Sequence, residues 1–226
     1  MNSLLLLHGA IGAKDQLQPI AEQLKNTFDV HTLNFSGHGG EPMPSSFSIE
    51  QFAGDVLLFL KQNNISKTNI FGYSMGGYVA LYLAKHHPDK VEKVITLATK
   101  FEWTPEIAAK EIKMLNAEKI EEKIPAFAAT LKKRHQLNDW KIVLQKTSDM
   151  MVALGNKNTL QFMDYKSITI PVLMSLGDED NMVTLTETQH VCNNLQNGKL
   201  IVLKNTPHPI EKVDVNLIVD ELKNFL

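Results

Sequence analysis

Strand-length apolar runs alternate with amphipathic stretches over the first hundred residues of the chain. Runs enriched in apolar residues at 4–7, 30–35, 68–72 and 91–98 have the length expected of strands. The stretches between them repeat apolar residues every three or four positions, as helices packed on a sheet do. This order predicts an α/β fold with right-handed crossovers and a mostly parallel sheet.

The alternation stops in the segment 100–166. No strand-like run occurs there, and the pattern is amphipathic and helical, with breaks at Pro105, Pro125 and Gly155. A segment of this length is too long for a simple connection within a compact domain. We therefore predict a helical lid insertion at 100–166 within a single domain that spans 1–226.

The strand and helix pattern resumes after the insertion. Runs at 170–176 and 200–203 predict two more strands, which gives a sheet of about six strands flanked by helices. Two of the earlier helices begin with capping signals. Asp15 is placed to cap the first helix, and Ser48 with Gln51 forms a capping-box pattern at the start of the second.

Composition and charge narrow the class of protein. A formal net charge of −2 over 226 residues provides no strong field for nucleic acid or an acidic membrane. The single cysteine, Cys192, cannot form an internal disulfide, which is typical of a reducing compartment. The chain begins without a signal-peptide pattern, and no apolar run reaches the length of a membrane span. We expect a cytoplasmic protein that neither binds nucleic acid nor crosses a membrane.

The stretch Gly72–Gly76 reads Gly-Tyr-Ser-Met-Gly and lies between a predicted strand and a predicted helix. The pattern Gly-x-Ser-x-Gly in that context is typical of a nucleophile elbow. Ser74 is then expected to adopt a strained backbone with positive φ, and the two glycines allow the strand and the helix to approach. The amide of Met75 is expected to point at the group that Ser74 attacks.

A nucleophilic serine requires a base and an orienting carboxylate, and two later loops offer them. The loop 177–180 contains three adjacent acids, and the loop 206–209 contains His208. Both loops follow predicted strands, so they are expected at the sheet edge that carries Ser74. His208 is the predicted base, and the pattern alone leaves the choice among the three acids open.

Further candidates lie around this edge of the sheet. Ala10, in the loop after the first strand, is the best-placed donor of a second oxyanion amide. The basic run 132–135 could attract an anionic group, although a solvated helix face is favoured. His86 and His87 are adjacent and point apart on a helix, so no metal site is predicted. Some of the following apolar insertion residues are expected to line a substrate pocket: Trp103, Phe127, Leu131, Trp140, Met150, Met151 and Met163.

Taken together, these motifs resemble the α/β-hydrolase superfamily over nearly the whole chain, and in particular its small bacterial esterase-like members. The resemblance implies that Asp180 is the triad acid, with Asp178 as the runner-up, and it supports Ala10 as the second oxyanion amide. It also implies an activity without cofactor or metal. The motifs that carry it are His8-Gly9-Ala10, Gly37-His38-Gly39, Gly72 to Gly77, Gly177 to Val183, and His208 followed by Glu211.

Two features depart from the family pattern. The family commonly begins with an antiparallel hairpin, whereas here the His-Gly strand starts almost at Met1, so a six-stranded sheet without two edge strands is expected. The related menaquinone-pathway synthase group carries an arginine two residues after the position of Gly76, where it holds substrate carboxylates. This chain has Tyr78 there, and we treat Tyr78 and Trp103 as candidate substrate contacts.

We therefore expect a serine hydrolase that cleaves a small or medium carboxylic ester or thioester, a small-molecule acyl substrate, through an acyl-enzyme. The alternative is a triad-assisted carbon–carbon lyase or hydrolase that resembles the menaquinone-pathway synthase group. A non-catalytic ligand-binding member is less favoured, because Ser74, Asp180 and His208 are all competent residues. A serine at the elbow argues against the dehalogenases and epoxide hydrolases of this fold, which use an aspartate there.

Overall fold

A six-stranded sheet, parallel throughout, forms the centre of the molecule. The computed structural model describes all residues, 1–226. The strands are β1 (Ser3–Leu7), β2 (Asp29–Thr32), β3 (Thr68–Tyr73), β4 (Val91–Leu97), β5 (Val172–Glu179) and β6 (Gly198–Pro207). They lie in the order β2-β1-β3-β4-β5-β6, and every neighbouring pair is parallel. The α/β architecture and the six strands predicted from the pattern are confirmed.

Helices connect the strands and cover both faces of the sheet. They are α1 (Gln18–Leu24), α2 (Ile49–Gln62), α3 (Met75–His86), α4 (Pro105–Glu111), α5 (Ala117–Lys123), α6 (Pro125–Arg134), α7 (Trp140–Asn156), α8 (Phe162–Tyr165), α9 (Leu185–Asn194) and α10 (Val215–Phe225). Helices α4 to α8 all fall between β4 and β5, in the region where the sequence pattern predicted helices and no strand. None of the helices is long and apolar enough to cross a membrane.

The run of four leucines in β1 illustrates why strands of this sheet are apolar on both faces. Leu5 and Leu7 pack into a core with α2, α3 and α9, whereas Leu4 and Leu6 pack into a second core with α1 and α10. All four side chains are fully buried. Successive residues of a strand point to opposite faces, so a strand covered on both sides must be apolar at every position.

The helices between β4 and β5 also carry a small core of their own. It is formed by residues of α5, α6 and α7: Ile120, Ala128, Leu131, Trp140 and Leu144. Proline begins two of these helices, because Pro105 and Pro125 occupy the first helical turn, where a missing amide hydrogen costs nothing. Gly155 was expected to break the helical pattern, but it lies inside α7.

A buried arginine side chain at the end of α6 bonds two carboxylates in turns that follow strands of the sheet. Arg134 Nε lies 3.2 Å from Asp15 Oδ2, and its Nη2 lies 3.2 Å from Glu211 Oε1. Gln16 Nε2 donates to the same oxygen of Glu211 at 2.7 Å. Burial opposes ionisation of Glu211, but the hydrogen bond from Gln16 and the charge of Arg134 outweigh it and lower the pKa of that carboxyl below its usual value.

A buried histidine follows directly and adds two further bonds. His135 Nε2 donates to the carbonyl of Ile11 at 3.0 Å, and its Nδ1 accepts from the amide of Gly39 at 3.1 Å. Lys132 and Lys133 are exposed, as a solvated helix face requires. The sequence analysis favoured a solvated helix face for the whole run 132–135. That prediction is wrong for Arg134 and His135, whose bonds connect α6 to the loops after β1 and β2.

Three local expectations need correction. Asp15 does not cap α1, because a 3₁₀ turn over Lys14–Leu17 precedes that helix and the Asp15 carboxylate pairs with Arg134 instead. Ser48 does cap α2 by accepting from the Gln51 amide at 3.1 Å, but the Gln51 side chain bonds Asp55 and does not complete a capping box. The strand expected at 30–35 is shorter and ends at Thr32.

We predict that Arg134→Ala loosens the helices between β4 and β5 without unfolding the sheet. The change removes a largely buried cation from between two carboxylates, which is expected to cost about 1–2 kcal/mol, between the values typical of exposed and buried pairs. Limited proteolysis should cut within residues 100–166 several times faster than in the wild type. Lys133→Ala is the matched control, since that side chain is exposed, and equal cleavage rates in the two variants would contradict the prediction.

Candidate active site

The turn between β3 and α3 holds Ser74 in a backbone conformation that side chains rarely adopt. Ser74 has φ 51° and ψ −117°. A β-carbon on Gly76 would lie 2.5 Å from the carbonyl oxygen of Leu7, and one on Gly72 would overlap the backbone of Gly76. Only glycine fits at these two positions, because the strand, the helix and β1 cross in close contact. The expected elbow geometry is therefore present.

Two hydrogen bonds, one to the last residue of β4 and one from the segment after it, hold this turn in place. The Ser74 amide donates to the carbonyl of Leu97 at 2.8 Å, and Thr99 Oγ1 donates to the carbonyl of Ser74 at 3.0 Å. Strain at one residue persists only where its surroundings determine the conformation, and these bonds supply that constraint. They leave the Ser74 side chain half-buried at the carboxyl edge of the sheet, facing a small cavity.

Asp180 and His208 meet at the same edge of the sheet. His208 Nδ1 lies 2.8 Å from Asp180 Oδ2. The other carboxylate oxygen of Asp180 accepts from the amides of Met182 and Val183 at 2.8 and 2.9 Å. Asp178 points elsewhere, with one oxygen 3.4 Å from Lys204 Nζ. Of the three adjacent acids, Asp180 is the one that contacts the imidazole.

The environment of Asp180 keeps its carboxyl ionised. Its side chain is only 1% exposed, and burial alone raises the pKa of a carboxyl. The hydrogen bond and charge of His208, together with the amides of Val183 and Met182, outweigh burial and lower the pKa of Asp180 below its usual value. Because Asp180 is an acceptor, His208 carries a proton on Nδ1 and presents Nε2 on its other side.

His208 is further positioned by Tyr73, the residue that precedes Ser74. The Tyr73 hydroxyl donates to the carbonyl of His208 at 3.1 Å, and the two rings lie 5.8 Å apart. Ser74 Oγ itself makes no hydrogen bond with the protein, so no bond between the serine and the imidazole is present. Such bonds are often long in ligand-free sites and shorten when a substrate is bound.

Two backbone amides share the Ser74 cavity without an acceptor. Ala10 and Met75 both line it, and neither amide donates to a protein atom. The cavity is small, with a volume of about 40 Å³. Its other lining residues come from α2, α3, α7 and the segment before α4: Ile49, Tyr78, Lys100, Trp103, Met150, Met151 and Leu154.

The insertion residues expected at a pocket divide into two groups. Trp103, Met150 and Met151 line the Ser74 cavity, as does Tyr78. The others lie away from it. Leu131 and Trp140 belong to the separate core of α5 to α7, Phe127 packs against that core, and Met163 is 69% exposed. Sequence reasoning missed Lys100 and Ile49, whose types gave no signal of a position beside the serine.

Three buried histidines lie beneath the loop that contains Ala10. We call His8, His38 and His135 the histidine cluster; the ring of His38 lies 5.2 Å from that of His8 and 5.7 Å from that of His135. Burial, with the nearby charge of Arg134, lowers the pKa of His8 to about 3 despite its bond to the Gly9 carbonyl. Burial also lowers the pKa values of His38 and His135. All three are held neutral.

No group of three histidine, cysteine, aspartate or glutamate side chains is arranged to hold a metal ion. His86, considered above with its neighbour His87, packs its ring 4.3 Å from that of Tyr82. Cys192 is buried in the core, and burial raises the pKa of its thiol.

Comparison with known proteins agrees with this geometry. The sequence profile of the alpha/beta hydrolase fold family matches residues 2–116. An abhydrolase domain-containing protein of Schizosaccharomyces pombe is 31% identical over 96 residues, a match that covers 42% of this chain and 36% of that protein. The pimeloyl-[acyl-carrier protein] methyl ester esterase of Neisseria meningitidis is 26% identical over 233 residues, covering 92% of this chain and 87% of the esterase.

Solved structures with the same architecture are also found. The enol-lactonase of Burkholderia xenovorans superposes with a TM-score of 0.76 and 20% identity, over 98% of this chain and 91% of that one. A parallel sheet with a serine elbow, together with these matches, defines a hydrolase enzyme. The chain belongs to the α/β-hydrolase fold family.

We predict that the protein loses stability as the pH falls below about 6.5, the usual pKa of an unfolded histidine. In that range the unfolded chain binds protons that the buried cluster does not, so the free energy of unfolding falls by up to about 1.4 kcal/mol per pH unit for each histidine. For His8 the loss continues down to its folded pKa of about 3. Thermal unfolding between pH 7.5 and 5 measures this slope.

His135→Asn should make the fall in stability with pH shallower, because it removes one of the three histidines whose pKa is lowered by burial. His86→Asn is the matched control, since His86 is exposed on α3, and it should leave the slope unchanged. A slope identical in wild type and His135→Asn would show that the cluster does not govern acid stability.

Proposed function

We propose that the protein is a serine hydrolase that cleaves a small or medium carboxylic ester or thioester through an acyl-enzyme. The observation that carries the proposal is the 2.8 Å bond between His208 and Asp180 at the sheet edge where Ser74 sits at positive φ. In this proposal Ser74 is the nucleophile, His208 the general base and Asp180 the orienting acid. The amides of Ala10 and Met75 form the oxyanion hole.

Acylation follows from these positions. Ser74 Oγ attacks the carbonyl carbon of the substrate while His208 Nε2 takes its proton. The carbonyl oxygen becomes an oxyanion, and the amides of Ala10 and Met75, which have no protein acceptor, donate to it. The bond to the alcohol or thiol then breaks, and His208 returns the proton to that leaving group. The ionised Asp180 stabilises the imidazolium that forms between these steps.

Deacylation reverses the roles with water as the nucleophile. His208 removes a proton from water, and the hydroxide attacks the acyl carbon of the Ser74 ester. The tetrahedral intermediate uses the same two amides. The bond to Ser74 Oγ breaks, His208 returns the proton to that oxygen, and a carboxylic acid is released.

The segment 100–166 acts as a lid in this proposal. It supplies five of the residues around the nucleophile, namely Lys100, Trp103, Met150, Met151 and Leu154. Its apolar contribution favours an uncharged acyl group next to Ser74. The lid and the sheet then form one functional domain over 1–226.

The relatives support an ester as the bond that is cleaved. The Neisseria protein is named as a methyl ester esterase and the Burkholderia protein as an enol-lactonase, and a lactone is a cyclic ester. Carbon–carbon cleavage, the alternative considered above, is less well supported. Tyr78 stands where the synthase group carries its arginine, and its hydroxyl is occupied by Asn158 and the amide of Leu160.

We predict that a fluorophosphonate adds once to the wild-type protein and not to Ser74→Ala. An activated serine attacks the phosphorus and displaces fluoride, which leaves a stable adduct that intact-mass spectrometry detects. Ser3 and Ser36 are other serines of the same chain, so peptide mapping provides the internal control for site selectivity. A folded wild-type protein without any adduct would contradict a nucleophilic role for Ser74.

We also predict that Asp180→Asn lowers kcat by a factor on the order of 10³–10⁴, as loss of the orienting carboxylate does in serine triads. Asp178→Asn is the matched control, because Asp178 is two residues away and contacts Lys204 instead of the imidazole. It should leave kcat within a few-fold of the wild type. Hydrolysis of p-nitrophenyl acetate measures both, and an Asp180→Asn enzyme as active as the wild type would refute the assignment.

A further inference from the structure

Two cavities share one tryptophan in their linings. The first is the Ser74 cavity of about 40 Å³, and the second has a volume of about 220 Å³. Trp103 is the only residue that lines both. The second cavity has a mixed lining from the lid and α9. Half of its residues are apolar, among them Phe101, Leu160, Phe162 and Val191, and the polar half includes Glu187 and His190.

Three residues form the wall between the cavities, in that each lines the Ser74 cavity and contacts or lines the second one: Tyr78, Lys100 and Trp103. Tyr78 lines the Ser74 cavity, and its hydroxyl accepts at 2.9 Å from the amide of Leu160, which lines the second cavity. Lys100 also lines the Ser74 cavity, and its Nζ lies 3.7 Å from Glu187 Oε2 on the other side. Trp103 itself lines both cavities.

Trp103 differs from the other two wall residues because its side chain makes no hydrogen bond. The backbone around it is nevertheless fixed. The amides of Phe101 and Glu102 donate to Glu187 Oε1 at 3.0 and 3.3 Å, and Thr104 caps α4. The indole can therefore turn aside without breaking a polar contact, while its backbone stays in place.

We propose that the Trp103 indole separates the Ser74 cavity from the larger cavity and so limits the length of the acyl chain that the enzyme accepts. This inference rests on the proposed function. At about 40 Å³ against about 220 Å³, the Ser74 cavity is much smaller than the second cavity, so it favours a short acyl group such as acetyl. A medium acyl chain must displace the indole and extend into the second cavity. The wild-type enzyme therefore prefers short-chain acyl esters, and Trp103 is its specificity-determining residue.

The test compares p-nitrophenyl acetate, butyrate, hexanoate and octanoate in wild type and Trp103→Ala. The octanoate-to-acetate ratio of kcat/KM should rise at least about tenfold in the variant, since a single methylene in an apolar pocket can change such ratios by that amount. Trp103→Phe should fall between the two. Phe127→Ala is the matched control, an aromatic of the same lid that lines neither cavity, and it should keep the wild-type ratio.

An unchanged ratio in Trp103→Ala would overturn the proposal. The proposal would also be overturned if the gain in kcat/KM of Trp103→Ala increased with the length of the alcohol chain in a series of alkyl acetates, because the second cavity would then receive the leaving group. If hydrolysis is lost in Ser74→Ala but its chain-length preference is unchanged by substitution of Trp103, the proposed function stands. The separation of the two cavities by Trp103, which we call the partition, is then refuted.

A binding measurement tests the partition without catalysis. The chain has two tryptophans, so Trp140→Phe leaves Trp103 as the only one. In the Ser74→Ala, Trp140→Phe double variant, octanoate should shift the Trp103 emission, whereas acetate should not. Absence of a shift with octanoate would overturn the partition. A shift in a protein that hydrolyses none of the esters would refute the proposed function alone.

Discussion

The close crossing of β3, α3 and β1 at the elbow is the constraint on which the candidate site depends. The backbones are so near that no β-carbon fits at Gly72 or Gly76. This contact forces Ser74 to positive φ and directs its side chain away from the crossing. It also leaves the Met75 amide at the start of α3 without an intrahelical partner, as the first amides of a helix always are. The proposed nucleophile and one proposed oxyanion donor therefore both result from this close packing.

Around that crossing, the site is assembled from loops that are joined by paired charges. Asp180 bonds His208, Arg134 joins the loop after β1 to the turn after His208, and Lys100 lies between two buried glutamates. Most of these pairs link segments far apart in sequence, whereas Lys100 and Glu111 are only 11 positions apart. Because the charges are paired with one another, they are compatible with the uncharged acyl group that we propose at Ser74, as is the apolar lining of its cavity.

Much of the fold was predictable because strands buried on both faces leave continuous apolar runs. The run at Leu4–Leu7 and the position of the elbow were read correctly, and so was the strandless stretch between β4 and β5. Choosing Asp180 over Asp178 needed the family resemblance, because adjacent acids give no local signal of which one turns inward.

What the sequence did not reveal depends on contacts between distant segments. Arg134 and His135 follow two exposed lysines and look like the continuation of a solvated face, yet their partners are some 77 to 124 positions away. The position of Lys100 beside Ser74 was not predicted either, because it also depends on contacts with remote residues. Local periodicity reports which face of a helix is apolar, and it carries no information about a polar side chain that is buried by a remote partner.

The separate core of α5 to α7 has a consequence for how this protein can diversify. Ile120, Leu131, Trp140 and Leu144 pack mainly with one another, so they stabilise that part of the lid independently of the sheet. Substitutions within this small core then disturb the sheet little, whereas changes at Arg134, His135 or the inner face of α7 reach the loops and the central core. Variation in the lid is therefore expected to accumulate in the small core and around α5, and the geometry around Ser74 can stay constant while that part of the lid changes.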